Sequence, residues 1–245
     1  MRNQKTHLIK ICGISQLEHM ITAAEVGADL VGMVFVPGVR RKIDTITAQK
    51  IIINFRKQFP DRPKIVGLFA NQPIRTVNHI SNAVGLDWLQ LCGQEDELFW
   101  ANIKRPFLQV VHVPDPPAEG TNDIVNNVVI GPETVMRNYR FSTVAALTRR
   151  LDQINQNGGL GLLDRESSVQ PGGLGQPFDW TLAQELTENH YRFILAGGLT
   201  PKNINQALQT VQPYGVDVSS GVETDGKKDP EKIISFVQQV RDKNL

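Results

Sequence analysis

Two cysteines, five histidines and a scatter of carboxylates are the groups of this 245-residue chain suited to covalent or acid–base work. Cys12 closes the apolar run Leu8-Ile9-Lys10-Ile11 and is followed by Gly13. It reads either as a small buried cysteine or as a thiol at a strand end, where a polar and accessible setting would make it a base or nucleophile. Asp164 closes Leu160-Gly161-Leu162-Leu163 in the same way. An acid there either caps the next helix or faces the site as a proton donor. Arg40 and Arg41 end the string Phe35-Val36-Pro37-Gly38-Val39. An arginine there forks onto a carboxylate or phosphate, or else forms a solvated surface pair.

Two strings of small residues suit an anion. Ala196-Gly197-Gly198-Leu199 and Ser219-Ser220-Gly221 allow backbone N–H groups and hydroxyls to approach a phosphate closely. Gly172-Gly173-Leu174-Gly175 is a third such string, placed to close over the same group. No metal centre is expected. Cys12 and Cys92 stand 80 positions apart, and the histidines at 7, 19, 79, 112 and 190 form no H-x-H or H-E-x-x-H pair.

The elements that must hold these groups are short, continuously apolar runs beginning near Leu8, Leu30, Lys64, Leu86, Phe107, Leu160, Arg192 and Gly215. Runs apolar at every position read as strands buried on both faces. Helical segments lie between them. Ser15-Gln16-Leu17-Glu18 has capping-box spacing, and prolines at 73, 201 and 230 suit a first helical position, with Thr200 and Asp229 as caps. Eight strands alternating with helices predict a single-domain α/β fold over residues 1–245, a (β/α)8 TIM barrel. The rival open sheet lacks a G-x-G-x-x-G after its first strand. Phe107 to Leu160 spans 53 residues, the longest interval between strands. Its prolines and asparagines predict an enlarged connection between strand 5 and helix 5. Residues 114–141 are expected as a loop excursion and Val144–Ile154 as the helix.

Composition narrows the function classes. Lys plus Arg number 26 against 25 Asp plus Glu, a formal net charge of +1, with no basic block. Nucleic acid is therefore not an expected partner. No apolar run approaches the roughly 18 residues of a membrane span, and Met1 to His7 lacks the apolar core of a signal peptide. A cytoplasmic enzyme acting on a small molecule is expected, with no membrane partner.

Several strings together resemble the phosphoribosylanthranilate isomerase family of tryptophan biosynthesis. They are Lys10-Ile11-Cys12-Gly13-Ile14, Gly27-Ala28-Asp29, Val66-Gly67-Leu68-Phe69, Gln90-Leu91, Leu162-Leu163-Asp164, Phe178-Asp179-Trp180, Ala196-Gly197-Gly198-Leu199 and Asp217-Val218-Ser219-Ser220-Gly221-Val222-Glu223. They occur in the family's order across nearly the whole chain. The resemblance implies a (β/α)8 barrel carrying out an Amadori rearrangement of N-(5-phosphoribosyl)anthranilate to 1-(2-carboxyphenylamino)-1-deoxyribulose 5-phosphate. By match, Asp164 is the general acid, Cys12 the general base, and Arg41 the partner of the anthranilate carboxylate. Gly173, Gly175, Gly197, Gly198, Ser219, Ser220 and Gly221 fall on the substrate-binding loops, as does Cys92. No cofactor and no metal are implied, the partner is a small phosphosugar, and the chain is a monomer or homodimer.

The sequence departs from the family pattern at four places. Cys92 stands where histidine follows Gln90-Leu91, Val39 where serine is usual, Leu174 where the glycine loop carries Ser or Thr, and Gln176-Pro177 where Lys-Thr is usual. Most of these remove a polar contact or charge from the substrate end. Two alternatives therefore stand beside the isomerase: a divergent phosphosugar isomerase, and a non-catalytic barrel that binds a phosphorylated metabolite. Retention of both Cys12 and Asp164 favours an enzyme.

Overall fold

The computed structural model describes residues 7–125, 128–165 and 178–242. Eight parallel strands pair in chain order and close on themselves: β1 (Leu8–Ile11), β2 (Leu30–Val34), β3 (Lys64–Phe69), β4 (Trp88–Leu91), β5 (Phe107–Val113), β6 (Leu160–Arg165), β7 (Phe193–Leu195) and β8 (Gly215–Val218). Closure is made by β8 against β1, with Leu8 opposite Gly215 and Lys10 opposite Asp217. Each strand buries both faces because it separates two apolar clusters. Ile9, Ile11, Met33 and Leu163 pack outward against the helices. Leu30, Val34, Val66, Leu68, Leu108, Val110, Leu162 and Ile194 form a second cluster within the barrel. Alternate residues of one strand share a face. Cys12 and Asp164 therefore continue the inward rows begun by Leu8 and by Leu160 and Leu162.

The outer layer comprises α1 (Leu17–Glu25), α2 (Thr45–Arg56), α3 (Ile74–Val84), the single turn α4 (Glu97–Trp100), α5 (Pro132–Gln156), α6 (Trp180–Glu188), α7 (Ile204–Val211) and α8 (Pro230–Asp242). Aspartates start several of them by accepting orphan N–H groups. Asp44 bonds Thr47 N, Asp96 bonds Phe99 N, and Asp229 bonds the amides of Glu231 and Lys232.

Three local expectations are corrected. The Ser15 box is not formed, because α1 begins after Gln16 and no side chain caps it. Thr200 caps the turn ahead of α7 and not the helix itself: its hydroxyl accepts the Lys202 amide at 3.2 Å, but the helix starts later. The amide of Thr200 donates to Asn203 Oδ1 at 2.8 Å and Asn203 Nδ2 donates to the Gly198 carbonyl at 2.9 Å, so Asn203 ties the loop and the helix begins at Ile204. The stretch 114–141 is not a continuous loop. It contains an antiparallel hairpin, Asp123–Val125 against Val128–Ile130, and then α5 starts at Pro132 and runs 25 residues. Proline in the first turn of α5 is pre-set for a helix. The punctuation that suggested a loop therefore marks a helix start.

Candidate active site

The groups singled out in the sequence converge on the C-terminal end of the barrel. Cys12 follows β1 directly and is 5% exposed, its amide donating to the Val218 carbonyl of β8 at 2.8 Å. Asp164 lies in the last turn of β6, with its Oδ1 accepting the Arg165 amide at 2.8 Å. Gly197 makes that position possible. A Cβ there would stand 2.9 Å from Asp164 Oδ1, and the backbone has φ +82. Burial and the neighbouring Asp217 push the Asp164 carboxyl up to about 6, so it holds a proton far more readily than an ordinary aspartate. Burial also pushes the Cys12 thiol up, opposed by the Lys10 and Lys228 ammonium groups and reinforced by Asp217.

The loops after β7 and β8 pack backbone on backbone. A Cβ on Gly221 would lie 1.8 Å from the Leu199 carbonyl oxygen, so only glycine allows this approach. Gly198 also has positive φ, at +67. Ser220, Gly221 and Val222 form one 3-10 turn. The Ser219 hydroxyl is committed elsewhere, donating to the Cys12 carbonyl at 3.3 Å. Gly173, Gly175, Leu174, Gln176 and Pro177 lie outside the described residues.

Arg41 is held by a group the sequence reading did not single out. Its Nε and Nη2 donate to the two oxygens of Glu223 at 2.7 and 3.1 Å, and Arg40 Nη2 donates to the same carboxylate at 2.7 Å. Lys228 adds a third cation, 2.9 Å from Glu223 Oε1, and donates to the Ser219 carbonyl at 2.7 Å. Burial opposes ionisation of Glu223, but these three cations prevail and hold it at about 2. Three positive charges on one carboxylate leave an excess of positive charge beside Gly13 and Ser219. Among the described residues Arg41 Nη1 has no protein acceptor, which leaves one edge of the fork for an incoming carboxylate.

Cys92, after β4, packs against the lumen cluster. Gln90 Nε2 approaches its sulfur at 3.5 Å, and burial pushes the thiol up to about 12, so it stays neutral. Two further buried groups went unassigned in the sequence. Lys10 is fully buried and donates to Asp217 Oδ1 at 2.9 Å. Their signal was parity, since Lys10 sits two residues before Cys12 on the inward row of β1. A cavity of about 570 Å³ opens at the opposite, N-terminal end, lined by Leu8, Trp88, Leu160, Arg192 and Tyr214. It holds no carboxylate or thiol. Among the described residues no group of three or more His, Cys, Asp or Glu is arranged to hold a metal, and no helix is long and apolar enough to cross a membrane.

A closed parallel barrel with its polar groups gathered at the strand C-termini defines the class: a (β/α)8-barrel enzyme. The family model described as N-(5'phosphoribosyl)anthranilate (PRA) isomerase matches residues 9–128 and 133–239, and the chain belongs to that family. The N-(5'-phosphoribosyl)anthranilate isomerase of Dehalococcoides mccartyi is 34% identical, over 95% of each chain. A multifunctional tryptophan biosynthesis protein of Phycomyces blakesleeanus is 33% identical over 97% of this chain, which spans only 33% of that longer protein. A crystal structure of phosphoribosyl anthranilate isomerase in complex with reduced 1-(o-carboxyphenylamino)-1-deoxyribulose 5-phosphate superposes with a TM-score of 0.71. It is 28% identical, over 96% of this chain and 99% of that one. The chain is an isomerase of tryptophan biosynthesis.

Proposed function

We propose that the protein converts N-(5-phosphoribosyl)anthranilate to 1-(2-carboxyphenylamino)-1-deoxyribulose 5-phosphate with Asp164 as general acid and Cys12 as general base. The observation that carries this reading is the pairing of a carboxyl raised to about 6 with a buried thiol beside ammonium groups at one barrel mouth. Asp164 donates its proton to the ribose ring oxygen. The C1′–O4′ bond breaks as the anilinic nitrogen lone pair forms the C=N bond of a Schiff base. The Cys12 thiolate then removes the C2′ proton, giving an enolamine, which becomes the C2′ ketone as C1′ takes up a proton and the 2′-hydroxyl releases one. C1′ gains the electron pair that C2′ gives up, so the protein moves only protons and the reaction needs no redox partner.

Binding follows from the loops. The backbone of Gly197, Gly198, Ser220 and Gly221 holds the phosphate in this reading, with Gly173 and Gly175 assigned to the same group by family match. Ser219 contributes through its backbone, since its hydroxyl bonds Cys12. Arg41, aimed by Glu223, takes the anthranilate carboxylate on its unoccupied edge. Cys92 borders the aromatic side as a neutral thiol. The reading is tested by supplying freshly generated phosphoribosylanthranilate and following loss of its fluorescence. Catalysed loss with appearance of the ketose is expected. Binding of phosphate analogues without turnover would leave a phosphometabolite-binding barrel instead.

A further inference from the structure

Lys10 and Asp217 are buried ionisable groups that the reaction above does not use. They face each other across the strand pair that closes the barrel, 2.9 Å apart, with side-chain exposures of 0% and 8%. Neither is spare in position. A Cβ on Gly32 of β2 would lie 3.0 Å from Cys12 Sγ and 3.1 Å from Lys10 Nζ, so these two atoms stand within about 6 Å of each other. Gly32 puts no side chain of its own into this space, which Leu68 Cδ1 borders at 3.0 Å from the same point. The other end lies level with Asp164. Val216 of β8 and Leu163 of β6 both pair with Leu195 of β7, so Asp217 and Asp164 each stand one residue further along on the strands flanking β7. Asp217 is the strongest charged influence on Asp164.

We propose that the Lys10–Asp217 pair is a positioning device that polarises the acid–base couple, its cation directed at Cys12 and its anion at Asp164. The inference rests on the isomerase reading. Buried ion pairs are seldom kept for stability, because desolvation offsets most of their attraction. Here the pair has a chemical use. Turnover needs Asp164 protonated and Cys12 ionised at once, although the carboxyl is intrinsically the stronger acid. The fraction of protein in that state rises tenfold for each unit by which the two pKa values are brought together. A cation by the thiol and an anion by the carboxyl both act in that direction. The remaining groups facing Cys12 are Lys228, from the short strand Lys227–Lys228 beyond β8, and the neutral thiol of Cys92 after β4, while Asp217 itself opposes Lys10 there by raising Cys12. Those facing Asp164 are His112 of β5 and the more distant Lys10. Of these groups only Lys10, with its partner Asp217, acts on both Cys12 and Asp164.

The test is the pH profile of kcat/KM together with the pH midpoint of Cys12 alkylation by iodoacetamide, read by mass spectrometry of the Cys12 peptide. Lys10→Met removes the cation, so both limbs and the alkylation midpoint should move up by roughly one pH unit. Asp217→Asn removes the anion while keeping a hydrogen-bonding group for Lys10, so both should move down. Lys10→Arg should restore the wild-type profile. Because a lone buried charge can unfold the chain, the double variant Lys10→Met/Asp217→Asn provides a second arm with no charge left unpaired. It should fold, keep the profile centred near that of the wild type while its acid limb moves down and its alkaline limb moves up, and turn over at least tenfold more slowly. Limbs that stay fixed, or move the same way in both single variants, overturn the polarising role while leaving the isomerase reading intact. So does a double variant with wild-type turnover. A wild type that does not turn over phosphoribosylanthranilate removes the reading, and the inference with it.

Discussion

At the scale of single residues, the site is a set of groups held away from their ordinary protonation states. Asp164 sits at about 6 instead of 3.8, chiefly through burial. Between those values the folded chain binds more protons than the unfolded one, so folding stability falls as pH rises through this window. The shift corresponds to roughly 3 kcal/mol, less what water at the mouth screens. Asp164→Asn should therefore be more stable than wild type at pH 7.5, with the advantage gone near pH 3.5. Thermal melts across that range check it, and an unchanged or lower midpoint at pH 7.5 would contradict it. Cys92 makes a different case. The only hydrogen-bond partner of its sulfur among the described residues is Gln90, at a long 3.5 Å, so little in the fold depends on that sulfur. Cys92→His, which restores the family's usual residue, should keep or raise kcat/KM. A tenfold loss would mean that this side of the pocket is built around the thiol.

At the scale of elements, close backbone approach decides more than side-chain contact. Gly221 lets the β8 loop lie against the Leu199 carbonyl, and an added methyl would have to push the loops after β7 and β8 apart. Gly221→Ala should weaken binding of ribulose 5-phosphate at least tenfold by calorimetry. Gly85 ends α3 with φ +76 and nothing within 4 Å of an added Cβ. Gly85→Ala should cost about 1–2 kcal/mol of strain and leave phosphate affinity unchanged. Equal losses of affinity in the two variants would deny the loops their special role. The strands were legible because a run such as Leu30-Val31-Gly32-Met33-Val34 has no polar face to spare. Helix starts were less so. Thr200 caps only the turn before α7, and Asn203 bonds across its own loop to delay the helix to Ile204, a choice that no local pattern announces.

At the scale of the whole molecule, the eight-stranded closure explains both what the sequence disclosed and what it concealed. Cys12 and Asp164 were visible because each ends an apolar strand, and barrel topology sends both ends to one mouth. Lys10 and Asp217 lay in strings already noted, yet their pairing depends on β8 closing against β1, a contact between residues 207 positions apart. Glu223 was hidden for the same reason, since Arg41 reaches it across the mouth from the β2 loop. The net charge of +1 agrees with this picture, in which an anionic substrate is met by local cations on the rim rather than by a field over the surface. The central claim is that one carboxyl and one thiol move the protons. It is tested most directly by kcat of Cys12→Ala and Asp164→Asn on phosphoribosylanthranilate, with affinity for the reduced product analogue measured alongside. The account predicts a fall in kcat of at least about 10³-fold in each, with analogue affinity within fivefold of wild type. Turnover near the wild-type rate in either variant would contradict it.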